Sequence, residues 1–206
     1  MALKRILDLL LAVCLLILTL PIFIITAIAI KLNSRGPVIF KQVRIGKDRK
    51  PFVCYKFRSM YAESNDEMHQ NYIRDLIAGD LEQKKNERKI YKLTGDPRIT
   101  AVGMFIRRLS LDELPQLFNV LKGQMSMVGP RPPVHYEFKY YDEVMLKRFS
   151  FRPGITGLWQ VSGRSSLNYK EMVDLDIFYI EHWSILLDLK ILLKTIPYLL
   201  RISHAY

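Results

Sequence analysis

The residues best suited to chemistry are Asp112 and Glu113, adjacent carboxylates in the run Ser110-Leu-Asp-Glu-Leu-Pro115. Arg107 and Arg108 stand just before them, and a Gly-Pro-Arg-Pro-Pro stretch, Gly129 to Pro133, follows. A carboxylate can serve as a nucleophile or as a ligand for a hard cation. An arginine fork matches the oxygens of a phosphate. The acid pair and the arginines together point to phosphate groups and a metal ion. The same residues have a plainer use, because Ser110 followed by Glu113 spells a capping box. Pro130, Pro132 and Pro133 fix the direction of Arg131, although prolines also make ordinary turns. Gly163-Arg-Ser-Ser166 has a composition that suits phosphate, a weak signal alone.

These residues need elements to position them. Leu114, Leu117, Phe118 and Leu121 recur at spacings of three and four, which predicts an amphipathic helix over 114–121. Pro115 is harmless only in a first turn, so the helix is expected to start near Asp112 and Glu113. Both carboxylates would then lie by free backbone N–H groups, which lower carboxylate pKa values and attract phosphate. Val38 to Ile45 and Phe52 to Phe57 read as the strands of a short hairpin, with a turn over Gly46 to Lys50 and the cations Lys41, Arg44, Lys56 and Arg58. Tyr61 to Lys92 is expected to be helical and solvated, and Glu137 to Phe149 to form another helix. Pro153 to Gly157 reads as a tight loop.

Between Asp8 and Lys31 lie 22 residues, Leu9 to Ile30, without a charge. That is enough to cross a bilayer as a helix. Both flanks are basic, with Lys4 and Arg5 before and Lys31, Arg35, Lys41 and Arg44 after, so the positive-inside rule gives no orientation. A helix that dips in and returns at Pro21 satisfies this pattern, and so does a kinked spanning helix. Trp183 to Ile202 mixes leucines with Asp188, Lys190, Lys194 and Arg201, and is read as a membrane-interface helix in preference to a core helix.

The formal net charge of +11 over 206 residues calls for an anionic partner. Two cysteines make no disulfide framework, and four scattered histidines show no zinc spacing. The arginines gather at turns and beside the acid pair, not in a stripe, which argues against a nucleic-acid partner. A non-enzymatic basic module tethered at anionic lipid is the competing reading.

In order along nearly the whole chain, several stretches resemble one family. They include Gly36-Pro-Val-Ile-Phe-Lys-Gln-Val-Arg-Ile-Gly46, Tyr55-Lys-Phe-Arg-Ser-Met60, Asp96-Pro-Arg-Ile-Thr100 and Arg108 to Gly123 with its Leu-Asp-Glu-Leu-Pro core. Met127-Val-Gly-Pro-Arg-Pro132, Arg152-Pro-Gly-Ile-Thr-Gly157, Gln160-Val-Ser-Gly-Arg164, Asp174-Leu-Asp176 and Trp183 to Lys190 continue the match. The chain thereby resembles the small monotopic polyprenyl-phosphate phosphoglycosyltransferases, the bacterial sugar transferases that initiate glycan assembly.

The resemblance implies an α+β fold. A re-entrant membrane helix over 1–35 would precede a mostly helical catalytic domain over 36–206, with a short β-hairpin and interfacial amphipathic helices. The domain would lie on the cytoplasmic face of the bacterial inner membrane, in contact with anionic lipids, and could form a homo-oligomer. The extra N-terminal membrane helices of longer relatives are missing, so a minimal catalytic form is expected. The implied reaction moves a sugar phosphate from a UDP-sugar to polyprenyl phosphate. Asp112 matches the nucleophile that forms an aspartyl phosphosugar, and Glu113 the second acid. Mg²⁺ is the implied cofactor, held by Asp112 and Glu113. Arg107, Arg131, Arg164, Lys56, Arg58, Gln160 and Asp176 match positions around the substrate. Where that family breaks its membrane helix with a Ser-Pro pair, this chain has Thr19-Leu20-Pro21.

Overall fold

A computed structural model describes residues 1–62, 70, 71, 74, 77, 96–163 and 167–200, with side chains to residue 197. Most of the stretch expected to be helical after Tyr61, and Arg164 with its two serines, lie outside the described residues. Helix α1, Ala2–Asn33, follows from an almost unbroken run of leucine, isoleucine and alanine. It continues through Pro21. Proline there leaves the Ile17 carbonyl without its helical donor. The Thr19 hydroxyl does not fill that place; it donates to Leu15 O at 2.6 Å.

Strands β1, Ile39–Ile45, and β2, Pro51–Phe57, form the expected hairpin in register from Ile39 opposite Phe57 to Ile45 opposite Pro51. Helix α2, Ala101–Arg108, is capped by Thr100, whose hydroxyl accepts from Gly103 N–H. A single 3-10 turn, Leu111–Glu113, separates it from α3, Gln116–Leu121. The expected capping box does not form: Ser110 makes no cap bond and sits in the left-handed region at φ 56°. The two acids therefore lie on the 3-10 turn ahead of α3 instead of in its first turn.

Strand β3, Ser126–Val128, pairs in parallel with β4, Gly154–Thr156, inside what the sequence presents as a tight loop. Two glycines permit that approach. A Cβ on Gly154 would stand 2.1 Å from Gly129 N, so no larger residue fits there. The expected helix over 137–149 is instead a 3-10 turn, His135–Tyr140, a short α4, Glu143–Leu146, and a second 3-10 turn, Lys147–Ser150. Helices α5, Leu158–Ser162, α6, Tyr169–Glu181, and α7, Ile185–Leu200, complete the chain. Asn168 and Glu171 form a true capping box on α6.

One core cluster joins Ala12, Phe52, Cys54, Leu117, Val120, Met127, Tyr179 and Ile191, and a second joins Ile30, Phe57 and Ile106. Each large side chain so buried stabilises the fold by roughly 1.5–3 kcal/mol. Helix α1 contributes to both clusters. Near its start, Lys4 binds Asp188 and Asp8 accepts from Ser126 Oγ and Met127 N–H, both at 2.9 Å. Nearer its end, Phe23 packs on Phe57 with ring centroids 4.6 Å apart. Its other side, including Leu3, Ile6, Leu10, Ile17, Ile24 and Ile28, stays exposed. Helix α7 divides the same way, with Asp188 and Ile191 buried and Leu186, Leu189, Leu193 and Ile196 exposed. It is thus a core helix on one face and an apolar surface on the other.

Candidate active site

Glu113 of the acid pair faces strand β2. Lys56 Nζ donates to Glu113 Oε1 at 2.7 Å across the gap between strand and 3-10 turn. That gap is set from below by Asn119 of α3, which is fully buried. Its Nδ2 donates to Val53 O at 2.6 Å, and its Oδ1 accepts from Tyr55 N–H at 3.0 Å. A strand-edge carbonyl and N–H are thereby satisfied by one amide, and Lys56 is held one residue beyond it.

Three cations act on Glu113. Its partial burial opposes the charge, but Lys56, Arg131 and Arg44 outweigh that cost and hold its pKa below the ordinary glutamate range. The Glu113 side chain is still 37% exposed, so solvent screens the pair and a ligand can reach it. Arg44 and Arg131 are themselves close: burial first, then the Arg131 charge, push the Arg44 pKa down. Three cations therefore converge on one carboxylate. Asp112, half-buried on the same turn, shares this setting. Beneath lies Cys54, whose thiol is pushed up by burial, the reverse of what a thiolate nucleophile needs.

Other residues expected at the site take different places. Arg107 lies in the last turn of α2 with Nη1 buried and without a hydrogen-bond partner among the described residues. Its charge reaches Asp96, whose carboxyl is held below its usual range chiefly by the Arg98 side chain. Arg58 is committed to the turn after α1, donating to Arg35 O and, at 2.8 Å, to Ser34 O. Gln160 Oε1 is buried against Gly157, again without a partner among the described residues. Asp176 is buried on α6, where Arg148 Nε donates to its Oδ2 at 2.9 Å; it stands behind the Arg131 loop. Arg164 lies outside the described residues.

Arg44, Asn119, Arg148, Tyr141 and Glu137 were not singled out from the sequence as site residues. Arg44 carried a usable signal: it alternates with Lys41 and Val43, which face outward, and so must point inward as Phe52, Cys54 and Lys56 do from β2. Asn119 and Arg148 gave none, because their partners in β2 and at Asp176 lie far away in the chain; Glu137 and Tyr141 have near partners, but their residue types alone do not mark a cluster.

A hard cation such as Mg²⁺ keeps several waters and is held by one or two carboxylates together with substrate phosphates. The donors here fit that mode, since Asp112 and Glu113 are oxygen ligands at a phosphate-compatible site. A cage built from protein alone is not offered: the described residues contain no group of three or more His, Cys, Asp or Glu side chains able to hold a metal.

Comparison with known proteins shows the family of the chain. The family model described as bacterial sugar transferase matches residues 1–202. The chain is 44% identical to an undecaprenyl-phosphate galactose phosphotransferase of Salmonella typhimurium, over 99% of this chain and 42% of that protein. It is 42% identical to the exopolysaccharide production protein ExoY of Sinorhizobium fredii, over 94% of this chain and 84% of that protein. A UDP-glucose:undecaprenyl-phosphate glucose-1-phosphate transferase of Klebsiella pneumoniae is 41% identical, over 95% and 40% of the two chains. The chain thus spans less than half the length of the Salmonella and Klebsiella relatives.

Proposed function

The chain belongs to the bacterial sugar transferase family, and on that premise we propose that it transfers a sugar phosphate from a UDP-sugar to polyprenyl phosphate. The observation that carries this reading is the convergence of three cations, Lys56, Arg44 and Arg131, on the solvent-accessible carboxylate of Glu113, beside Asp112. A diphosphate is the kind of ligand such a cluster of cations suits.

In the first step the Asp112 carboxylate attacks the β-phosphorus of the donor. The bond from that phosphorus to the bridging oxygen breaks, UMP departs with the electron pair, and an aspartyl phosphosugar forms. In the second step an oxygen of polyprenyl phosphate attacks the same phosphorus. The acyl phosphate bond breaks, Asp112 is regenerated as a carboxylate, and polyprenyl-diphosphate-sugar is released. Glu113 stays ionised through its cations, able to hold a metal or organise the site but not to supply a proton at neutral pH. Arg131, exposed and acting on Glu113, can bind phosphate oxygens. Asp112 and Glu113 would hold Mg²⁺, which would supply charge neutralisation on the diphosphate.

The test is incubation of purified full-length protein, with Mg²⁺, against a panel of UDP-sugars, followed by intact-protein mass spectrometry. A mass gain of one sugar phosphate, lost in Asp112→Asn, is expected. No gain with any donor, together with no lipid-linked product in a polyprenyl-phosphate transfer assay, would overturn the reading.

We also propose that α1 is re-entrant, on the cytoplasmic face of the inner membrane. Support comes from its two ends: Lys4 and Asp8 near one, and Phe23 and Ile30 toward the other, hold the same domain. A helix crossing the bilayer would put those two ends on opposite faces, where one domain could not hold both. Single cysteines at Ala2 and Lys50, in a background without Cys14 and Cys54, should label with an impermeant maleimide only in inside-out vesicles. Labelling of Ala2→Cys in right-side-out vesicles would refute it.

A further inference from the structure

The loop that presents Arg131 is stiffened by its prolines but is tied down by hydrogen bonds from other elements. Three of its five residues, Pro130, Pro132 and Pro133, have no N–H to donate. Its carbonyls are instead taken one by one by other elements. Gly154 N–H donates to Pro130 O at 2.9 Å, Arg44 Nη1 to Pro132 O at 2.8 Å, and Ile45 N–H to Pro133 O at 3.1 Å. The carbonyl of Arg131 itself is taken by Arg148 Nη2 at 3.1 Å.

Arg148 is 7% exposed and fully engaged. Nε and Nη2 reach Asp176 Oδ2 at 2.9 and 2.7 Å, and Nη1 donates to Tyr141 Oη at 2.8 Å. Tyr141 Oη lies 3.3 Å from Glu137 Oε2 and 3.1 Å from Tyr169 Oη. Glu137 Oε1 in turn accepts from Val134 N–H, the first amide after the prolines. Stability does not explain the arrangement. A buried ion pair gains little over well-packed apolar residues of the same volume. Here Asp176 Oδ1 also has no hydrogen-bond partner among the described residues. What the cluster does achieve is a fixed Arg131 main chain, with that residue's charge acting on Glu113.

We propose that Arg148 is a positioning residue for the transfer: seated on Asp176 and Tyr141, it holds the Arg131 backbone so that the Arg131 guanidinium stays near Glu113. The proposal rests on the transferase reading, and its test has one arm independent of activity. In full-length solubilised protein, Arg148→Met should speed amide exchange in the peptide spanning Gly129 to Val134 while leaving the β1–β2 hairpin unchanged. Its transfer rate should fall on the order of tenfold, and Arg131→Ala with Arg148→Met should be no slower than Arg131→Ala alone. Arg148→Lys, which keeps the charge but not the fork, should lie between wild type and Arg148→Met. Unchanged exchange in the loop, or losses that multiply in the double variant, would overturn the proposal. If Arg148→Met does not fold, Tyr141→Phe, which removes one hydroxyl partner of Arg148, carries both readouts. If wild-type protein transfers nothing, the transferase reading fails and loop exchange alone decides this one.

Discussion

Two lysine–carboxylate pairs in this molecule have nearly the same separation and opposite uses. Lys4 and Asp188 meet at 2.6 Å between α1 and α7, and Lys56 and Glu113 meet at 2.7 Å between β2 and the 3-10 turn. In the first pair both side chains are 9% exposed; in the second they are 24% and 37% exposed. Asp188 is saturated: Oδ2 also accepts from Trp183 Nε1 at 3.1 Å, and Oδ1 accepts from Tyr179 Oη at 2.7 Å. Lys4 spends a further proton on Val128 O at 3.0 Å. Around Glu113 the balance runs the other way, with Arg131 and Arg44 adding their positive charge to that of Lys56. Distance alone does not separate a latch from a site. Saturation and exposure do.

The comparison can be broken or sharpened in four ways, taken from the largest expected effect. Asp112→Asn should lower turnover by about 10⁴-fold or more, in the range seen when a covalent nucleophile is removed, with thermal stability unchanged. Turnover close to wild type in a contaminant-free preparation would remove Asp112 from its role. Lys4→Met should destabilise the fold by about 3–5 kcal/mol, because it leaves Asp188 buried and uncompensated. Denaturant unfolding would measure this, and a change below 1 kcal/mol would end the latch reading.

Lys56→Gln should do the reverse. Its stability cost should stay within about 1 kcal/mol, as for exposed pairs, while kcat/KM falls by roughly 100-fold, as for loss of one preorganised charge. Equal effects of Lys4→Met and Lys56→Gln on stability would erase the distinction between the regions.

The smallest effect concerns pH. Glu113 has a lowered pKa in the folded protein. Its contribution to stability is therefore present above its unfolded pKa, near 4.5, and is lost as pH falls through the lower folded value. Removing Lys56 raises the folded value, so the acid limb of the kcat/KM profile should move to higher pH in Lys56→Gln. An unmoved limb would show that Lys56 does not govern Glu113.

How much of this was legible varies from residue to residue. The hairpin was, because β-branched alternation and a polar turn are local signals, and β1 and β2 run within a residue of the expected bounds. The acid pair and Arg131 were visible through their residue types and neighbouring prolines. The capping box was misread: Ser110 and Glu113 have the right spacing, but Pro115 delays α3 by a turn and Ser110 turns left-handed instead. Parallel pairing of β3 with β4 gave no signal, since each is only three residues long and they lie far apart in the chain. Asp8 and Asp188 were visible as charges beside or within apolar stretches, but not as the buried anchors they are. A charge in such a place must find a partner, and nothing local says that those partners are Ser126, Lys4, Tyr179 and Trp183.

The sequence by itself determined the chemistry available here: an adjacent acid pair, arginines suited to phosphate, a 22-residue uncharged segment and a strongly basic balance. Those are properties of residue type and short-range spacing, and they survive in a linear reading. Only the tertiary structure decided which charges are spent and which remain for a ligand. That division depends on burial and on contacts between residues up to 184 positions apart, where side-chain geometry and desolvation, not order along the chain, set the energy.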